Sequence, residues 1–178
     1  MRTIILYGDC GDSRLTFPLC RALEQYGGVI RLNRGNIGEY STAAPEFLLY
    51  ETDVLESVQT DGGLLLLKEG AAVPKAVTSA CGIAALILPD SIPAGEVLPA
   101  DVPVLRCGTR DEDEIALSSL EEQCAIVTLR RTLEIGDRLC EPHDIHITLT
   151  HPTDPCALTV CCAVLTAVLG GDRDSFQI

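Results

Sequence analysis

The spacing of apolar and polar positions changes character along the chain. Residues 2–7 hold a short, continuous apolar run, Ile4-Ile5-Leu6, which predicts a strand covered on both faces. Helical spacing follows, with Leu15, Leu19, Ala22 and Leu23 on one stripe. Asp12 or Ser13 is expected to cap this helix, which runs to about Tyr26 and stops at Gly27-Gly28. Pro18 falls within its first turn and a half, where proline is tolerated best. Val29 to Leu32 then reads as a second strand, so the chain opens as a βαβ unit.

Further apolar runs predict strands over Glu46 to Tyr50, ending on Glu51, and over Gly63 to Leu67, Ile83 to Leu88 and Val102 to Cys107, the last closed by Gly108. Pro89 to Asp101, rich in Pro and Ala, reads as a connecting loop. After Gly108 the period becomes two: Glu114 to Leu120, Cys124 to Leu133 and His143 to Thr150 alternate apolar with polar residues, and Gly136-Asp137 looks like a turn. Asp154 with Pro155 starts a last helix, apolar nearly all round and therefore buried, which ends at Leu169 before Gly170-Gly171. The fold class expected is α/β, as one domain over residues 1–178. It has a mainly parallel sheet with flanking helices in a P-loop-like three-layer arrangement and a small antiparallel extension over about 114–150.

Composition supports a packed body: hydrophobic residues make up 47% and charged residues 22%, unlike a disordered chain. The formal net charge of −13 repels phosphate backbones and anionic lipids, so neither nucleic acid nor a membrane surface is an expected partner. The opening residues reach Gly8-Asp9 too soon for a signal-peptide core, and the stretch Ala157 to Leu169 is shorter than the roughly 20 residues of a membrane helix. A cytoplasmic protein is expected. Its nine cysteines, an odd number with many placed among Leu, Ala, Val and Ile, suit small buried hydrophobes better than a disulfide framework.

Between the first strand and the first helix stands Gly8-Asp9-Cys10-Gly11-Asp12-Ser13-Arg14. A phosphate-binding loop works by converging backbone N–H groups on the anion while a lysine adds positive charge. Here the glycine spacing matches a short form of that loop, G-T-x-G-K-T-[TS], with Asp12 at the lysine position. Negative charge from Asp12 and Asp9 opposes a phosphate, and a charge swing at that range in a partly dry site is worth several kcal/mol. Gly8 and Gly11 also suit a plain tight turn whose Asp12 or Ser13 satisfies free helix N–H groups.

The short loop form belongs to the Mur ligases, enzymes that add amino acids to peptidoglycan precursors. "VLRCGTRDEDEIALSSLEEQCAIVTL" from Val104, and "EPHDIHITLTHPTDPCALTVCCAVLTAVLGG" after it, resemble the close of that family's central domain: a strand ending in Gly, antiparallel strands, and a polar turn into an alanine-rich helix. "LLYETD" at 48–53 resembles the strand that ends in a metal-supporting glutamate, here Glu51. The resemblance implies the fold of the ATPase-type central domain. It also implies a His-Asn pair and an Asn before the last helix, and an Asp-His pair after a strand. Pro152-Thr153 with Cys156, and Asp90-Ser91, stand in those places. The expectation is a degenerate P-loop relative that has lost ATP chemistry, a pseudoenzyme requiring no cofactor.

Three further arrangements carry chemistry in principle. Cys140, His143, His146 and His151 are the soft-ligand cluster, but two histidines three apart on a strand face opposite ways, so no metal site is expected. Cys10 at a helix start is the candidate nucleophile, opposed by Asp9 and Asp12. No catalytic residue is assigned. The first expected function is a non-catalytic domain acting through protein contacts or regulation, with a protein partner or self-association. The alternative is a small-ligand protein or enzyme that uses the crevice at the carboxyl ends of the strands, lined by Gly8, Asp9, Cys10, Gly11, Asp12, Ser13 and Glu51.

Overall fold

A computed structural model describes residues 1–40, 43–75, 81–89, 102–135, 138–171 and 173–178. The opening strand, β1 (Arg2–Tyr7), leads through the glycine loop into α1 (Thr16–Glu24) and then β2 (Gly28–Asn33). A hairpin partner, β3 (Asn36–Glu39), follows, and then β4 (Pro45–Thr52), β5 (Gln59–Leu67), β6 (Cys81–Pro89) and β7 (Val104–Gly108). The second half holds β8 (Ile115–Leu120), β9 (Cys124–Leu129), β10 (Leu133–Ile135), β11 (Arg138–Cys140), β12 (His143–Thr148), α2 (Pro155–Leu169) and β13 (Ser175–Gln177).

Among the described residues eleven strands form one mixed sheet in the order β13-β12-β9-β8-β7-β6-β5-β1-β4-β2-β3. Strands β2, β4, β1, β5, β6 and β7 run parallel, as the continuous apolar runs predict, because such strands are covered on both sides; β8, read as an alternating strand, also pairs parallel with β7. The alternating segments make the antiparallel extension β8-β9-β12. A separate two-stranded sheet, β10 with β11, flanks Gly136-Asp137, which themselves lie outside the described residues. The loop read over Pro89 to Asp101 also lies largely outside them, Asp90 and Ser91 included.

Alternate residues divide the core between the two faces. Ile4, Leu6, Leu64, Leu66, Ala85 and Ile87 share one cluster with α1 and α2, whereas Ile5, Leu65, Leu67, Leu86 and Leu88 belong to a second cluster on the other face. Helix α2 is buried almost all round, as its uniform apolar character requires, and packs on β6, β7, β8 and α1. Asp154 caps it as expected, its carboxylate accepting from the Cys156 and Ala157 N–H groups at 3.0 and 3.1 Å.

Four local expectations need correction. Helix α1 begins at Thr16, its N-cap is Leu15, and no side chain caps it; Asp12 instead accepts from the Arg14 N–H at 3.0 Å, so residues 9–15 turn before the helix starts. Pro18 is consequently its third residue, where a missing N–H costs nothing. Leu133 leaves the strand begun at Cys124 and enters β10. Strands β3 and β13 are additions: β3 follows a two-residue turn in which Arg34 and Gly35 both have positive φ, 45° and 80°, the signature of a type I′ hairpin.

Candidate functional site

The register of the parallel strands decides what meets at their carboxyl ends. Tyr7 lies beside Thr52 and Leu67, and Asn33 beside Glu51, so β2, β4, β1 and β5 finish along one edge. Residue parity then places Glu51 on the helix face with Phe47 and Leu49, and Lys68, the first residue past β5, on that face with Leu64 and Leu66. Arg31 and Asn33 of β2 reach the same point.

Glu51 is the hub, with its side chain fully buried. Its Oε1 accepts from the Thr16 hydroxyl at 2.8 Å and from Lys68 Nζ at 2.5 Å. Its Oε2 accepts from Arg31 Nε at 3.0 Å, from Arg31 Nη2, and from Asn33 Nδ2 at 2.9 Å. Burial alone would raise the pKa of this carboxyl. The hydrogen bonds from Lys68, Arg31 and Thr16 outweigh that and hold it below its ordinary value. Arg31 is fixed further by the Tyr40 hydroxyl at 3.1 Å and by the Phe17 ring beneath its guanidinium.

Lys68 ties this hub to the glycine loop. Only 1% of its side chain is exposed, and Nζ donates to the Asp9 and Asp12 carbonyl oxygens at 2.7 and 2.5 Å as well as to Glu51. An ammonium has three N–H donors, and all three are used. Gly8 makes room for it: its φ is +141°, and a Cβ there would stand 2.8 Å from the Lys68 Cβ. Gly11 has no such requirement, since its φ is ordinary and a Cβ would only approach the Asp9 carboxylate at 3.2 Å.

Two loop amides are held by the loop's own carboxylates, and the Asp12 N–H donates to the Asp9 carbonyl at 3.1 Å. The Gly11 N–H donates to Asp9 Oδ1 at 2.8 Å, and the Arg14 N–H to Asp12 Oδ1 at 3.0 Å. The Arg14 guanidinium pairs with Asp12 and with Glu69, both at 2.9 Å. Hydrogen bonding from Arg14 lowers the pKa of Asp12. Ser13 contributes its carbonyl to the Phe17 N–H at 3.2 Å. Cys10 is half-buried, its thiol 3.8 Å from the Gly8 carbonyl.

The structure therefore brings Gly8, Asp9, Asp12 and Glu51 together through Lys68. Sequence reasoning missed Lys68, Arg31 and Asn33. A lysine directly after the run Leu64-Leu65-Leu66-Leu67 was the available signal, because a charge at the end of a buried parallel strand faces the crevice. Beside the loop lies a cleft of about 410 Å³, lined by Asp12, Arg14, Leu15, Pro18 and Glu69 on one side and by Pro152 to Asp154, Cys156 and Ala157 on the other.

The soft-ligand candidates do not converge. Cys140 is buried against Gly171, His143 bonds the Glu141 and Arg173 carbonyls, His146 is exposed, and His151 meets the Thr150 hydroxyl. Among the described residues no group of three or more His, Cys, Asp or Glu side chains is arranged to hold a metal ion.

No family model matches the chain, and no curated protein does. Solved structures do. A MurF ligase from Thermotoga maritima in complex with ADP superposes with a TM-score of 0.50 at 11% identity, over 95% of this chain and 46% of that one. The fold is Mur-ligase-like. A UDP-N-acetylmuramoyl-L-alanyl-D-glutamate–2,6-diaminopimelate ligase aligns over 82% of this chain and 39% of its own, with a TM-score of 0.42 at 9% identity. The chain thus spans less than half the length of either Mur ligase.

The resemblance of residues 48–53 to the Mur ligase strand implies a metal-supporting glutamate at Glu51, and the donor set here does not fit a metal. Both carboxylate oxygens face N–H or O–H donors, two of them on cationic side chains, so no lone pair is turned toward a metal.

Proposed function

We propose that this chain is a Mur-ligase-like domain whose phosphate loop no longer takes nucleotide, and that it acts through contacts with other proteins. One observation carries the reading: the loop amides of Gly11 and Arg14 are held by the carboxylates of Asp9 and Asp12. An incoming phosphate would have to displace two internal anions and then sit beside them, in a protein of net charge −13. The loop's own outward cation, Arg14, already bridges Asp12 and Glu69. Among the described residues eight cysteine side chains form no disulfide, which suits work in a reducing compartment such as the cytoplasm.

Thermal denaturation with and without Mg-ATP or Mg-ADP tests this, because only ligands that bind the native state stabilise it. No shift is expected with either nucleotide. A rise of several degrees that saturates with concentration would contradict the reading.

The cleft of about 410 Å³ favours a second reading, in which a small ligand other than a nucleotide binds between Leu15 and Ala157. The same assay with a library of non-nucleotide metabolites separates the two. A hit whose effect is lost in Ala157→Phe, which fills the cleft, favours this second function.

A further inference from the structure

The resemblance of residues 48–53 calls for a metal at Glu51, yet the group on Glu51 is an ammonium. Lys68 Nζ contacts three oxygens: one from the buried carboxylate at the end of β4, and two from carbonyls of the glycine loop. An all-oxygen environment drawn from a carboxylate and backbone carbonyls is what a hard divalent cation selects. Here the positive charge arrives on a four-carbon stem from the residue just past β5, across β1 from β4, and it is sealed from solvent. Arg31 and Asn33 occupy the other oxygen of Glu51, so the carboxylate has no second side to offer.

We infer that Lys68 is a tethered cation standing in for a metal ion between Glu51 and the glycine loop, so that this cluster is complete and keeps its shape without divalent metal. The arrangement explains two otherwise separate features of the sequence. Gly8 is needed because the lysine stem passes against it, where any Cβ would collide. Asp9 and Asp12 are tolerated beside each other because their carbonyls, rather than their carboxylates, converge on the ammonium. The inference does not depend on how the chain treats nucleotides, and its test contains none.

The test follows thermal denaturation of the purified chain after chelator treatment, then with millimolar Mg²⁺ or Mn²⁺ at matched ionic strength. The wild type is expected to show the same Tm in all three conditions. In metal-free buffer Glu51→Gln is expected to lower Tm by about 10 °C or to prevent folding, because it leaves two cations without their buried counter-ion. Lys68→Ala is expected to be destabilised as well, and partly restored by ethylammonium, an ion the size of the deleted group, which should leave the wild type unchanged. A saturable metal stabilisation of the wild type that disappears in Glu51→Gln would overturn the inference. So would a Glu51→Gln protein as stable as wild type without metal, or a Lys68→Ala protein that does not respond to ethylammonium. Nucleotide binding together with metal-independent stability would instead contradict the proposed function alone.

Discussion

Two residues fix the geometry of the site, and each makes a measurable demand. Gly8 holds a φ of +141° with the Lys68 stem against it, so Gly8→Ala combines backbone strain with a collision. It is expected to cost about 2 kcal/mol or more in urea denaturation, whereas Gly11→Ala should be nearly neutral. Glu51 sets a pH dependence. Its folded pKa lies below the ordinary value of 4.5, so its contribution is fully present above that pH and is lost as pH falls through the folded value. Stability of the wild type should therefore drop steeply in acid, and Glu51→Gln, already weakened at neutral pH, should show a shallower fall over that range. The carboxylates were legible in the sequence from loop spacing and from the strand ending in Glu51. For Lys68 the sequence offered only its place after an apolar strand, because register and parity decide which face it takes.

Elements were read well where periodicity was long and poorly where pairing was local. Helix α2 was recoverable because its Asp-Pro start and unbroken apolar run have one simple solution. Asp154→Ala should cost about 1 kcal/mol, measured by chemical denaturation, by freeing the Cys156 and Ala157 N–H groups. Burial beside α2 pushes the thiols of Cys20 and Cys162 up to about 12 and raises those of Cys107 and Cys161 as well. These four, being buried as well, should stay unmodified when the native protein meets a thiol reagent near pH 8, while Cys124, whose thiol is also raised by its hydrogen bond to Glu121, reacts because it is exposed. Mass spectrometry of the labelled peptides reads the outcome. The β2-β3 hairpin was missed because its turn is Arg34-Gly35 rather than Asn-Gly, and an arginine at positive φ is uncommon. Strand β13 is three residues long, too short to carry a period.

At the scale of the molecule, a parallel sheet gathers charged residues at the carboxyl ends of β2, β4, β1 and β5, the crevice where open α/β sheets generally bind ligands. In this chain the groups that meet there come from within: a lysine ammonium under the loop, two carboxylates on its amides, and an arginine bridging Asp12 and Glu69. The net charge of −13 acts separately, through self-repulsion at the surface. Moderate NaCl should raise Tm by screening that repulsion, and it should do so equally in wild type and in surface variants such as Asp53→Asn. The fold was legible because layers follow from hydrophobic pattern. The carboxylates on the Gly11 and Arg14 amides were not, because such bonds depend on which atoms of the loop each amide meets.

The most direct test of those bonds is an amide NMR titration that follows the Gly11 and Arg14 N–H signals as Mg-ATP, and separately inorganic phosphate, is added. Both signals should stay in place, because Asp9 and Asp12 already hold those protons. Saturable shifts at the two amides would mean that the loop still receives phosphate, and would contradict the account.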